Sequence, residues 1–160
     1  MSDNFEDFYE RNWKYVYRIC FTYMKNAADA EDCAEDVFVK VLNGNFTFTN
    51  ELHERKWLAV TAGNRCKDKL KSAGRKTVDY LNEIPEPAAE DQADHSEVLE
   101  AVLDLPVKYK EVVWLYYYDG YQTDEIAKIL KRPHSTIRNQ LRDARGLLKK
   151  ALEGDTYDRK

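Results

Sequence analysis

Between Gly120 and Ala151 the sequence admits few structures other than two helices joined by a tight turn. Thr123, Asp124 and Glu125 put a capping hydroxyl and two acids where the positive end of a helix dipole would lie. Ile126, Ala127 and Leu130 form the apolar face that follows. Lys131 and Arg132 make the turn, and Pro133 restarts the chain at a first helical position, where a missing N–H does no harm. In the second helix Ile137, Leu141, Ala144, Leu148 and Ala151 are spaced four, three, four and three, a stripe for burial. Arg138, Arg142, Arg145 and Lys149 repeat that spacing on a neighbouring face, rotated by about 100°. Ser135 and Asn139 flank them. One buried face beside bidentate donors is what a helix-turn-helix needs to read base edges in the major groove. A helical hairpin with a merely solvated basic face has the same pattern.

Gly and Pro are scarce, 6 and 4 in 160 residues, and most of the chain has helical periodicity. The expected fold class is therefore all-α: two small helical domains joined by a flexible acidic linker, the C-terminal one a helix-turn-helix. The boundaries fall at 1–76, 77–95 and 96–153. No apolar run reaches the roughly 18 residues of a membrane span. The start, Ser2-Asp3-Asn4-Phe5-Glu6-Asp7, lacks the basic and apolar segments of a signal peptide. A cytoplasmic chain without membrane insertion is expected. Cys20, Cys33 and Cys66 form no CxxC pair, and His53, His95 and His134 are isolated. No metal or cofactor is expected, and the cysteines read as small core residues in a reducing compartment.

The net charge of −4 hides four alternating blocks. Residues 1–45 carry 5 basic and 9 acidic side chains, 46–76 carry 8 and 3, 77–105 carry 0 and 9, and 106–160 carry 12 and 8. The two basic blocks are candidate phosphate-facing surfaces. In the first acidic block Phe5, Phe8, Tyr9, Trp13, Val16, Tyr17, Cys20, Phe21 and Met24 make an aromatic helical stripe. Asp29 is placed to cap a second helix, with Cys33, Ala34, Val37, Phe38, Val41 and Leu42 inward and Gly44 as its left-handed stop. Residues 45–53 have no helical period. Their Phe, hydroxyl and amide side chains suit stacking on unpaired bases, or an ordinary connector with Phe46 and Phe48 turned inward. A third helix over Glu54–Ala73 turns Trp57, Leu58, Thr61, Ala62, Cys66 and Leu70 inward and carries Arg55, Lys56, Asn64, Arg65, Lys67, Lys69 and Lys71 outside. Beyond the linker, Ser96 caps a short helix that stops at Leu105-Pro106. A further helix covers Tyr109–Tyr118, and the polar stretch after Ala151 is expected to fray.

These residues resemble a known family. Ala28-Asp29-Ala30-Glu31-Asp32 with Glu35-Asp36-Val37-Phe38 is similar to the core-binding helix of the extracytoplasmic-function group of bacterial sigma factors. Trp57-Leu58, Ala62, Asn64 and Asp68 resemble that region's next helix. Leu105-Pro106, Tyr109, Leu115, Gly120, Glu125-Ile126-Ala127, Leu130, Thr136-Ile137-Arg138, Leu141, Ala144-Arg145 and Leu148 follow the family's C-terminal domain. The resemblance implies a dissociable promoter-specificity subunit whose partners are core RNA polymerase, through its largest-subunit clamp, and promoter DNA. It also admits an anti-sigma factor as partner. It implies that Asp32, Glu35, Asp36 and Phe38 face the polymerase. Asn45, Phe46, Thr47, Phe48, Thr49 and Asn50, with Asn64 and Arg65, would lie on the minus-10 surface. Ser135, Thr136, Arg138, Asn139 and Arg142 would lie on the minus-35 helix. Two departures stand out: Glu35 replaces a usual Gln, and Gln122 replaces a usual Ser or Thr cap, which moves the expected cap to Thr123.

The competing function is a stand-alone helix-turn-helix regulator whose N-terminal half dimerises or senses a signal. Such a regulator has no need for a basic helix beside a polar-aromatic loop. An enzyme finds no support in a metal cluster, a nucleophile–base spacing or a glycine-rich phosphate loop.

Overall fold

The computed structural model describes residues 4–44, 46–76 and 97–158, the side chains of 73–76 and 154–158 excepted. The expected linker, the Ser96 cap and Asn45 lie outside the described residues. The chain divides into two compact units, Met1–Ala88 and Ala89–Lys160. The described residues are all-α, with no strand, and none of their helices is long and apolar enough to cross a membrane.

The first unit contains α1 (Phe5–Met24), α2 (Ala27–Asn43) and α3 (Glu51–Lys76). Asn4 caps α1 by accepting from the Asp7 N–H at 2.8 Å. Lys25, at φ 65°, closes it in the left-handed conformation. The cap of α2 is Asn26, not Asp29: extended Asn26 accepts from the Asp29 N–H at 2.8 Å and donates to the Asp29 carboxylate at 2.9 Å. The amide serves both directions at once, so Asp29 sits in the first turn, where its charge meets the dipole. Gly44 is extended, with φ −111° and ψ 173°, rather than left-handed. Its missing side chain serves another purpose, because a Cβ there would sit 2.3 Å from the Phe46 ring. α3 starts at Glu51, three residues earlier than expected, because Asn50 caps it through the His53 N–H at 2.8 Å.

The centre of this unit is Val16, Cys20, Ala30, Cys33, Ala34, Leu58, Ala62 and Cys66, each fully buried. Small side chains at the crossing points let the three helices approach closely. Phe38, 2% exposed, fills the space under α1 and packs against Phe5, Phe8, Tyr9 and Trp13. Phe5, Tyr9, Trp13, Tyr17 and Phe21 are half-buried, a ladder of successive ring contacts along one edge of α1. Leu42, expected inside, is 58% exposed.

The second unit contains α4 (Glu97–Leu103), α5 (Val107–Val113), a π turn (Trp114–Tyr118), α6 (Thr123–Leu130) and α7 (His134–Asp158). α5 begins two residues before the expected Tyr109, since the Pro106 carbonyl accepts from Tyr109 and Lys110. Buried Lys110 donates to the Leu103 carbonyl at 3.2 Å and so satisfies the end of α4. The core joins Val102, Leu105, Val112, Val113, Leu115, Ile126, Ile129, Ile137, Leu141 and Ala144. The buried stripe of α7 stops there: Leu148 is half-buried and Ala151 exposed. The helix itself continues to Asp158 instead of fraying after Ala151.

Cys20, Cys33 and Cys66 meet where α1, α2 and α3 cross, and all are free thiols. The hydrogen bond with Cys66, then burial, pushes the Cys33 thiol far above its ordinary range. The Cys20 hydrogen bond does the same for Cys66, with burial adding to it. A thiol reagent at pH 8 should therefore leave Cys33 and Cys66 unlabelled in the folded chain and modify them only as urea unfolds it; rapid labelling without urea would contradict this packing.

Candidate nucleic-acid interface

The helix-turn-helix is assembled by α6 and α7. Gln122, not Thr123, occupies the cap position of α6, and its N–H donates to the Glu125 carboxylate at 2.9 Å. Thr123 is the first helical residue, and its hydroxyl lies 2.7 Å from the His134 Nε2. Lys131 turns the chain at φ 57°, a conformation a non-glycine residue adopts at some cost. Pro133 precedes the helix by one position, its carbonyl accepting from the Ile137 N–H at 3.1 Å. A proline has no N–H to leave unsatisfied at either place.

From this start α7 presents Ser135, Arg138, Asn139 and Arg142 to solvent, with Thr136 half-buried beside them. The side chains of Arg138 and Asn139 make no hydrogen bond among the described residues. Arg142 is 3.6 Å from the Asp143 carboxylate. Arg145 belongs elsewhere: its Nε donates to the Tyr117 hydroxyl at 2.6 Å, and its guanidinium lies within 6 Å of both the Tyr116 and Tyr117 rings. The basic face read from spacing is thus divided: Arg138 and Arg142 lie exposed at the start of the helix, Arg142 beside Asp143, whereas Arg145 is engaged with the π turn.

In the first unit the loop between α2 and α3 lies over Trp57. The Phe46 ring is 4.6 Å from Trp57 and remains 39% exposed. Phe48 is half-buried, stacked on Phe8 at 6.0 Å and edge-on to His53. Phe48 is thus turned inward, as in an ordinary connector, whereas Phe46 stays at the surface. Thr47, Thr49 and Asn50 are exposed, though Asn50 also serves as the cap of α3. A cleft of about 390 Å³ opens beside the loop, lined by Phe5, Phe8, Arg11, Phe46, Phe48 and Glu54. Glu54 is 6% exposed and accepts from Arg11 at 2.7 Å and from Asn12 at 3.0 Å. The helical period marks apolar positions, so it passed over this buried polar group.

Asn64 is exposed on α3, but Arg65 donates to Asp36 of α2 at 2.7 Å. Lys69 reaches Asp32 at 3.3 Å and Asp29 at 3.7 Å. Burial works against the Lys69 charge, but the Asp32 hydrogen bond and the two carboxylates outweigh it and raise its pKa. Of the four residues expected to face the polymerase, Asp32 and Asp36 are tied to α3 and Phe38 is buried. Glu35 alone among them is exposed without an ion pair among the described residues, and exposed Val39 and Leu42 continue its face of α2.

A family model described as sigma-70 region 2 matches residues 8–76, and one described as sigma-70, region 4 matches residues 95–148. The ECF RNA polymerase sigma factor SigW of Bacillus subtilis is 25% identical over 168 residues, covering 94% of this chain and 90% of the relative. The RNA polymerase sigma factor SigV of the same organism is 27% identical over 139 residues, covering 83% and 81%. Among solved structures, the sigma factor RpoE of Bartonella quintana, in complex with the anti-sigma factor NepR, shares the fold. Its TM-score is 0.70 at 20% identity, covering 92% of this chain and 98% of that one. CnrH in complex with the cytosolic domain of CnrY shares it at TM-score 0.66 and 19% identity, covering 94% and 88%.

The position of Phe46 depends on Gly44. Gly44→Ala should push the ring off Trp57 while leaving the fold intact, because a ring tip can swing aside. Ring-proton NMR shifts that leave Phe46 against Trp57 in the variant would refute the contact.

Proposed function

This chain belongs to the sigma-70 family, in its extracytoplasmic-function group, and we propose how it divides the work of a promoter-specificity subunit between its two units. It binds core RNA polymerase, recognises the minus-10 and minus-35 elements and promotes opening of the DNA. In our assignment residues 1–76 bind polymerase and the minus-10 element, 77–95 connect, and 96–153 read the minus-35 element.

The observation that carries the assignment is the solvent-facing set at the start of α7, Ser135, Arg138, Asn139 and Arg142. With Thr136 it offers guanidinium and amide groups to base edges, and arginine matches guanine while asparagine matches adenine. The minus-10 surface consists of Asn45, Phe46, Thr47, Phe48, Thr49 and Asn50 with Asn64 and Arg65. Phe46 is the ring on which an unstacked base can lie, and the neighbouring hydroxyls and amides read its edge. Unstacking costs a few kcal/mol, an order of magnitude that stacking and phosphate contacts can offset. The polymerase face is α2, where Glu35 supplies unpaired charge and Val39 an apolar contact. Phe38 supports that face from beneath. Asp32 and Asp36 lie at its border and exchange Lys69 and Arg65 for basic groups of the partner. The RpoE and CnrH structures are complexes, one of them with an anti-sigma factor, and an anti-sigma partner is proposed for this chain as well.

The purified full chain, mixed with core polymerase and genomic DNA, should start transcripts at a limited set of promoters and bind duplex DNA only weakly by itself. Tight footprints by the free chain on palindromic sites would overturn the assignment. In the same assay Arg138→Ala should relax selection at one minus-35 position by about 1–3 kcal/mol; unchanged promoter choice would remove Arg138 from the reading set. Glu35→Lys should weaken co-purification with core polymerase while leaving the melting temperature unchanged, and undiminished co-purification would discard the α2 face.

A further inference from the structure

Apolar packing holds α7 through Ile137, Leu141 and Ala144, but apolar contact is non-directional and leaves rotation about the helix axis loosely set. A turn of about 10° moves a side chain 6 Å from the axis by about 1 Å, enough to spoil a bidentate contact. The Thr123–His134 contact holds the first residue of α7 and the Arg145–Tyr117 hydrogen bond a later turn; neither ties the reading face to α5. The turn residue Arg132 has the required geometry. Its side chain is 22% exposed, and it pairs through Nη2 with the Glu111 carboxylate of α5, which is 1% exposed. Its Nη1 donates to the Gln140 Oε1 of α7 at 3.0 Å and approaches the Lys108 carbonyl of α5 at 3.5 Å. Gln140 lies on α7 between Asn139 and Arg142. One planar guanidinium therefore ties the turn, α5 and the reading helix together. A lysine in its place could neutralise Glu111 but could not hold the second, fixed direction.

We propose that Arg132 is a positioning residue for minus-35 recognition, setting the rotation of α7 against α5 through Glu111 and Gln140 without touching DNA. This rests on α7 being the minus-35 reader.

The test uses the full chain with core polymerase on two templates, a promoter with both elements and a template with a pre-melted minus-10 segment and no minus-35 element. Arg132→Lys keeps the charge that Glu111 needs. It should melt close to the parent, initiate about fivefold less well on the two-element promoter and match the parent on the pre-melted template. Gln140→Ala should act through the same link, so adding it to Arg132→Lys should cost nothing further. Equal losses on both templates would overturn the proposal, reducing Arg132 to a stability role. No loss on either template would overturn it too, as would additive effects of the two substitutions. Should Arg132→Lys fold poorly, Arg132→Gln with Glu111→Gln removes both charges together. That pair must lose minus-35 discrimination while keeping activity on the pre-melted template, and retained discrimination would overturn the proposal. Failure of the unmodified chain to initiate at all would instead strike the promoter-subunit assignment, so the two failures are distinguishable.

Discussion

A carboxylate withdrawn from water must find a cation or destabilise the fold by several kcal/mol, as an order of magnitude. Among the described residues each unit contains one such group, and in each the answer is an arginine from another element. Glu54 opens α3 and is met by Arg11 of α1, with Asn12 filling a further acceptor site. Glu111 on α5 is met by Arg132 in the helix-turn-helix turn. Both pairs lie beside the surface to which we assign DNA binding in that unit. Arg11 and Glu54 line the cleft beside the Phe46–Phe48 loop, and Arg132 joins the turn to α7. Two apolar side chains would fill the same volumes without desolvating charge, but they would not fix direction. The pairs supply geometry more than stability.

The surface charges follow a different logic. Asp36–Arg65 and Asp32–Lys69 bridge α2 and α3 in water, where such pairs contribute about 1 kcal/mol or less. That is small enough for a polymerase or a phosphate to exchange partners with either side. Strong internal pairing would have disabled both surfaces, and no pairing would have left two opposite charge fields side by side on a small domain. Weak pairs balance the charges of the free protein and leave both sides available to a partner.

How much of this was legible follows from what each signal measures. The all-α class and the helix-turn-helix were legible because period 3.6 over many residues is set by burial, and burial decided both. Helix starts were not: Asn26 competes with Asp29, a cap of similar ability, and Gln122 takes the cap position ahead of the better capper Thr123, so backbone geometry chooses. Phe38 shows the limit of a motif: it stands in the helix that resembles a polymerase-binding segment, yet its side chain points under α1. The same limit applies to Arg145, which shares the spacing of Arg138 but lies opposite Tyr117. A linear pattern tells which face a residue belongs to, not which neighbour is already there. Glu54 and Glu111 were unremarked for that reason, since a lone acid gives no period.

The division into two units bears on how a chain with net charge −4 can bind DNA at all. Neither basic surface is extensive, and the acidic blocks oppose nonspecific attraction, so a single contact should be weak at physiological salt. Because the units are covalently joined, once one has engaged, the other meets its element at an effective concentration set by the connection, and affinity multiplies without new contacts. Binding to core polymerase, which we assign to α2, would supply a third attachment of the same kind. Weak individual contacts then become the source of selectivity: the free chain is spread thinly over the genome, whereas the assembled one binds where both elements are present. On this account strengthening any single contact, for instance by adding basic residues to α7, would raise affinity for every sequence and erode the discrimination that the division produces.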